Sequence, residues 1–225
     1  MDALIFDFDG VVVDSEPVHL EAFRRVLRDV GIDLSTRDYY GKYLGFDDHD
    51  CFAAVAADNG RRISEKKIAE LTAAKTRIVQ SIFAGTIQPL PGAVDLIRSA
   101  AAAKLPLAVC SGALLDEIKL AAKTIGVLDC FDLIVSAEMV AAGKPDPEGY
   151  LQTLRKLSEK HNRTLRPQHV VVIEDSPAGI EAAQTAGNRT LAVATSYPQD
   201  RLTAADRVVA RLSDITLAEV AALAS

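Results

Sequence analysis

Short apolar runs alternate with longer stretches of helical periodicity along most of this 225-residue chain. Residues 3–8 are rich in Ile and Phe and stop at Asp9-Gly10, a pair that favours a turn, so the run reads as a strand ending in acid. Comparable runs lie at residues 107–110, 133–135, 170–173 and 191–193, each separated from the next by a segment of helical pattern. Strands alternating with helices predict an α/β fold: a Rossmann-like parallel sheet covered on both faces, with any ligand lying beyond the carboxyl ends of the strands.

Between the first strand and Gln88 the pattern changes. Residues 17–30, 47–59 and 64–83 read as helices with no strand among them, which predicts an α-helical domain inserted after the first strand. Ser64 is placed to cap the third of these helices, and Gly31, Gly60 and Gly85 sit where helices stop. The expected organisation is a core of residues 1–14 and 88–225 interrupted by a helical insert of residues 15–87. Alanine clusters at residues 100–103 and 218–224 suit closely packed helices, and no repeat or low-complexity linker breaks the chain.

Composition narrows the class. With 49% hydrophobic and 25% charged residues the chain falls in the ordinary soluble range. Its 25 Lys+Arg against 31 Asp+Glu leave a net charge of −6, which removes the usual drive toward nonspecific polyanion binding, so no nucleic-acid partner is expected. No apolar stretch approaches the roughly 18 residues of a membrane-spanning helix, and Asp2, Asp7 and Asp9 interrupt the region a signal peptide would use. A cytoplasmic protein without a membrane partner is expected, and nothing in the sequence calls for more than a monomer. Cys51, Cys110 and Cys130 are odd in number and lack histidines at zinc-site spacing, so they read as buried, reduced thiols.

Chemistry gathers at the predicted strand ends. In an extended segment alternate residues point the same way, so Asp7 and Asp9 can face one pocket. At the next strand end Ser111-Gly112 offers a hydroxyl and backbone N–H groups ahead of a helix, a place able to receive a phosphate. Glu174-Asp175-Ser176 places a second acidic pair at a later strand end, and Lys144 lies in the proline-bounded segment Gly143-Lys144-Pro145-Asp146-Pro147. Clustered carboxylates repel unless a cation neutralises them, and Mg2+, which prefers carboxylate and phosphate oxygens and needs few protein ligands, fits that need.

The ordered set Asp7-Phe8-Asp9-Gly10-Val11, Ser111-Gly112, Lys144-Pro145 and Glu174-Asp175-Ser176 closely resembles the haloacid dehalogenase-like superfamily. The likeness covers nearly the whole chain, and the helical insert resembles the small cap of the branch containing phosphoglycolate phosphatases and β-phosphoglucomutases. Asp9 separates the chain from the dehalogenase branch, whose enzymes lack that second aspartate. The resemblance implies a Mg2+-dependent phosphatase acting on a small phosphorylated metabolite, of sugar phosphate or phosphoglycolate type, through an aspartyl phosphate. Asp7 would be the nucleophile, Asp9 the general acid and base, and Ser111, Gly112 and Lys144 the groups around the transferred phosphate. The metal would be held by Asp7, the Asp9 backbone carbonyl and Asp175, with Glu174 helping through a water.

The cap is expected to choose the substrate, with hinges near Asp14-Ser15 and Ile87-Gln88. His19 and Lys75 occupy positions resembling a cap histidine and a cap lysine of this branch, and they are candidates for substrate contact. The alternative is a phosphosugar mutase of the β-phosphoglucomutase kind. Such an enzyme typically presents a cap-loop arginine to a second phosphate, whereas this chain reads Gly45-Phe46-Asp47-Asp48-His49-Asp50; hydrolysis is therefore favoured, and Asp47 is expected to cap the following helix. A noncatalytic receiver-like or interaction protein fits less well, because receiver domains place the phosphorylated aspartate at a later strand and have no helical insert after the first.

Overall fold

A computed structural model describes residues 1–224. The chain divides into two compact units, Met1–Asp14 with Ile87–Ser225, and Ser15–Thr86.

In the larger unit the elements run β1 (Ala3–Phe6), α5 (Ala93–Ala102), β2 (Leu107–Cys110), α6 (Leu115–Thr124), β3 (Leu133–Val135), α7 (Glu148–Lys160), β4 (Val170–Glu174), α8 (Pro177–Thr185), β5 (Arg189–Val193), β6 (Arg207–Val209) and α9 (Leu217–Ala222). The strands form one parallel sheet in the order β3-β2-β1-β4-β5-β6. That order reverses direction between β1 and β4, the switch point at which open α/β sheets bind ligands. β1, β2 and β4 are buried throughout, as expected of strands covered on both faces. Ile5 of β1 lies beside Ala108 and Val172 in register, and all three join a core with Tyr150, Leu154 and Leu157 of α7 and Ala182 and Ala183 of α8.

The smaller unit has its own core. It contains α1 (Glu16–Arg28), α2 (Thr36–Asp38) running into a wide π-helical turn at Tyr39–Tyr43, α3 (Asp48–Asp58) and α4 (Glu65–Thr86). α1 carries a proline in its first turn, where no amide donor is lost, and buries Leu20, Phe23, Val26 and Leu27 along one stripe. Phe23 meets Phe52 of α3 edge-on at 5.0 Å, within a cluster that also takes in Tyr39, Tyr43, Ile68 and Leu71. Asp47 caps α3 by accepting from the Asp50 N–H at 2.8 Å, and Ser64 accepts from the Lys67 N–H at 3.2 Å ahead of α4.

Several local expectations are corrected. The first strand ends at Phe6 rather than Phe8: Asp7 still bonds to Ile173 O at 2.9 Å, but then the chain folds back on itself through Gly10 (φ 74°), with Val12 N–H donating to Phe8 O. The edge strand β6 is missing from the sequence reading because three residues, the first an arginine, make no recognisable run. α4 ends at Thr86, one residue past Gly85. Cys130 is only half-buried, unlike Cys51 and Cys110. In the first alanine cluster only Ala100 is fully buried, and Ala102 and Ala103 face solvent. Among the described residues no helix is long and apolar enough to cross a membrane.

Candidate active site at the strand ends

The residues following β1, β2 and β4, together with the loop before α7, bring their side chains to one place. Asp7 and Asp175 are buried, Glu174 is fully buried, and one carboxylate oxygen from each of the three lies within 4.8 Å of the others. Lys144 Nζ sits among them, 2.5 Å from Asp7 Oδ1, 2.5 Å from Glu174 Oε1 and 3.2 Å from the Cys110 carbonyl at the end of β2. Its loop is fixed locally: Glu148, the first residue of α7, accepts from the Ala141 and Ala142 N–H groups at 2.9 Å, and Asp146 N–H donates to Gly143 O. The Lys144–Pro145 peptide bond is cis.

The surrounding bonds set the geometry of each acid. Glu174 Oε1 accepts from Lys144 and, at 2.7 Å, from the buried Tyr150 hydroxyl; Oε2 accepts from the Asp175 and Ser176 N–H groups and the Ser176 hydroxyl. Ser176 Oγ also caps α8 by accepting from the Gly179 N–H at 3.1 Å. Asp175 Oδ2 accepts from the Ser196 hydroxyl beyond β5. Ser111 Oγ accepts from the Ala113 N–H at 3.1 Å and donates to Asp9 Oδ2 at 3.5 Å, so the hydroxyl lies between the loop after β1 and the turn before α6. Gly112 is exposed in that turn. Asp9 stands half-buried outside the three-carboxylate cluster and accepts from the Ser111 hydroxyl.

Charge in this group is unbalanced. Burial pushes the Asp7 carboxyl well above the usual range; Lys144 opposes that rise, while Glu174, Asp175 and Asp9 add to it. Burial would also raise Glu174, but Lys144, Tyr150 and the Asp175 N–H overcome it and hold that carboxyl below its ordinary value. Lys144 is desolvated, yet the Asp7 and Glu174 carboxylates raise its pKa well above that of a free lysine. One ammonium among three clustered carboxylates, with Asp9 nearby, leaves a deficit of positive charge, and the all-oxygen donor set suits a hard divalent cation; Asp7 and Asp175, with Glu174 beside them, are the side chains that would hold it.

A model of the haloacid dehalogenase-like hydrolases matches residues 1–187, a span that takes in every strand-end group from Asp7 to Ser176. The chain belongs to the haloacid dehalogenase-like hydrolases. Within this hydrolase family it is 33% identical over 230 residues to Protein CbbY of Rhodobacter capsulatus, covering 99% of this chain and 97% of that one. It is 30% identical over 191 residues to a phosphorylated carbohydrates phosphatase of Thermotoga maritima, covering 83% and 82% of the two chains. The crystal structure of CbbY from Rhodobacter sphaeroides in complex with phosphate superposes with a TM-score of 0.86 at 27% identity, covering 98% of this chain and 99% of that one.

The two candidates from the hydrolase's helical insert have different surroundings. Lys75 is buried, ion-paired with Asp48, and its Nζ lies 4.5 Å from the centre of the Phe23 ring. The His19 ring meets Phe83 edge-on at 6.2 Å, its Nδ1 is buried with no hydrogen-bond partner, and burial followed by the nearby Lys75 charge lowers its pKa to about 3. The acids at the start of α3 are also engaged: Asp47 caps the helix, Asp48 pairs with Lys75, and Asp50 faces His49 at 3.2 Å. Tyr150 and Ser196 escape the sequence reading. Tyr150 resembles any core residue of an amphipathic helix, whereas Ser196 could have been found by extending the search of strand ends to the loop after β5.

Proposed function

We propose that this hydrolase is a Mg2+-dependent phosphatase of small phosphorylated sugars and related metabolites, working through an aspartyl phosphate on Asp7. The observation that carries the reading is the Lys144 ammonium lying 2.5 Å from Asp7 Oδ1 beside a buried, undercompensated carboxylate cluster at the sheet's switch point. The phosphate-ester names of relatives, the carbohydrate phosphatase among them, support the substrate class.

In this mechanism Asp7 attacks phosphorus, the ester P–O bond breaks, and Asp9 gives its proton to the departing alkoxide. Asp9 then takes a proton from water as that water attacks phosphorus; the bond to Asp7 breaks, inorganic phosphate leaves and the Asp7 carboxylate is restored. Ser111, the Gly112 N–H and Lys144 stabilise charge on the transferred group, which is where most of the rate enhancement in phosphoryl transfer arises. Glu174 holds Lys144 and the Asp175 backbone in place. Bound Mg2+ would offset repulsion between the Asp7 carboxylate and the phosphate oxygens. The helical insert selects the substrate, with His19 and Lys75 as its candidate contacts. The segment from Gly45 to Asp50 carries no arginine to hold a second phosphate, so hydrolysis is preferred to a mutase reaction.

Asp7→Asn and removal of Mg2+ by chelator are each expected to abolish turnover of p-nitrophenyl phosphate while circular dichroism stays unchanged. Full activity in either case contradicts the mechanism. In a screen of phosphorylated metabolites, released phosphate is expected to exceed isomerised product; faster conversion of β-glucose 1-phosphate to glucose 6-phosphate with a bisphosphate primer would favour the mutase instead.

A further inference from the structure

Ser196 lies in the loop after β5, outside the span that matches the family model. Both sides of this loop are anchored. Ala194 N–H donates to Val209 O of β6 at 3.0 Å, and Tyr197 packs against a cluster of Ile180, Ala192 and Leu202. Between those anchors the Ser196 hydroxyl points at the Asp175 carboxylate and donates to Oδ2. The loop after β1 closes on the same pair: a Cβ on Gly10 would collide with the Asp175 carboxylate and lie 2.7 Å from Ser196 Oγ. Glycine at position 10 therefore leaves the room in which the serine reaches the acid, and its φ of 74° suits the same residue.

We infer that Ser196 is a positioning residue for the metal: its hydrogen bond sets the orientation of the Asp175 carboxylate and thereby the affinity for the divalent cation. This rests on the proposed metal-dependent reading of the site. A carboxylate whose rotation is fixed by a neighbour's proton binds a cation without first losing that freedom, and partners of this kind typically matter 10- to 100-fold in metal affinity. Because Ser196 acts through Asp175, its removal is felt in metal binding, and the affinity for the phosphate ester at saturating Mg2+ stays the same.

The test titrates Mn2+ into wild type, Ser196→Ala, Ser196→Thr and Ser196→Val, with electron paramagnetic resonance reading free Mn2+ without any turnover. Ser196→Ala and Ser196→Val are expected to weaken Mn2+ binding roughly 10- to 100-fold, and Ser196→Thr, of the same shape as valine but with a hydroxyl, to recover most of the loss. The Mg2+ concentration for half-maximal turnover of p-nitrophenyl phosphate rises in parallel, while KM at saturating Mg2+ is unchanged. Equal Mn2+ affinity in the threonine and valine variants overturns the inference and leaves the reading of the site standing. A wild type that binds no Mn2+ overturns both.

Discussion

Asp7 sits where burial and three neighbouring carboxylates disfavour its charge and a single ammonium favours it, and the balance lies well above the ordinary carboxyl range. A nucleophilic carboxylate must be ionised, so protons and a bound cation compete for the same group. The acid limb of kcat/KM for p-nitrophenyl phosphate is therefore expected to move to lower pH as Mg2+ is raised, measured from about pH 4 to pH 8. A limb that ignores Mg2+ would count against this charge balance. His19 shows the opposite sign. Its pKa is lowered to about 3 from an ordinary 6.5, so between those values the unfolded chain binds more protons than the folded one. Its contribution to stability is complete above 6.5 and is lost as pH falls through that window. The His19 ring resonances are accordingly expected to stay flat in NMR titrations between about pH 5 and pH 8, whereas a midpoint near the ordinary value would contradict its burial.

α8 shows how an element can serve the site at its own expense. A glycine in a helix normally costs about 1 kcal/mol relative to alanine, yet Gly179 lies in the first turn of α8 where a Cβ would strike the Glu174 carboxylate. Gly179→Ala is expected to lower stability by about 1–3 kcal/mol in urea denaturation through overpacking, and to impair turnover; a gain in stability would contradict the packing described for Glu174. The elements themselves were legible to different degrees. β1, β2 and β4 are short runs buried on both faces, so their apolar character marks them directly. β6 borrows its pairing from β5 and has too little apolar sequence of its own to be seen. The turn at Tyr39–Tyr43 is a widened helical segment stabilised by tertiary bonds, Tyr39 to Glu16 and Tyr43 to Asp58, which no local pattern encodes. The acids and the lysine of the strand ends could be read because ligands in such sheets lie at strand ends; their partners Tyr150 and Ser196 depend on contacts across 24 and 21 residues of sequence.

At the scale of the molecule, the sheet order puts β1 and β4 side by side at the point where the connections change direction; Asp7 directly follows β1, and β4 ends at Glu174 with Asp175 next. The net charge of −6 gives no hint of an anionic substrate; what matters is the local field, in which a fixed ammonium and a held cation would oppose the acids. The helical unit keeps its own hydrophobic core, separate from that of the sheet. The proposed function rests on covalent chemistry at one carboxylate, Asp7. Crystals grown with Mg2+ and soaked in beryllofluoride test it most directly: continuous density from an Asp7 carboxylate oxygen to beryllium, with Lys144 and Ser111 on the fluorines, is the predicted result. An unmodified Asp7 with beryllofluoride bound elsewhere or absent would contradict the account.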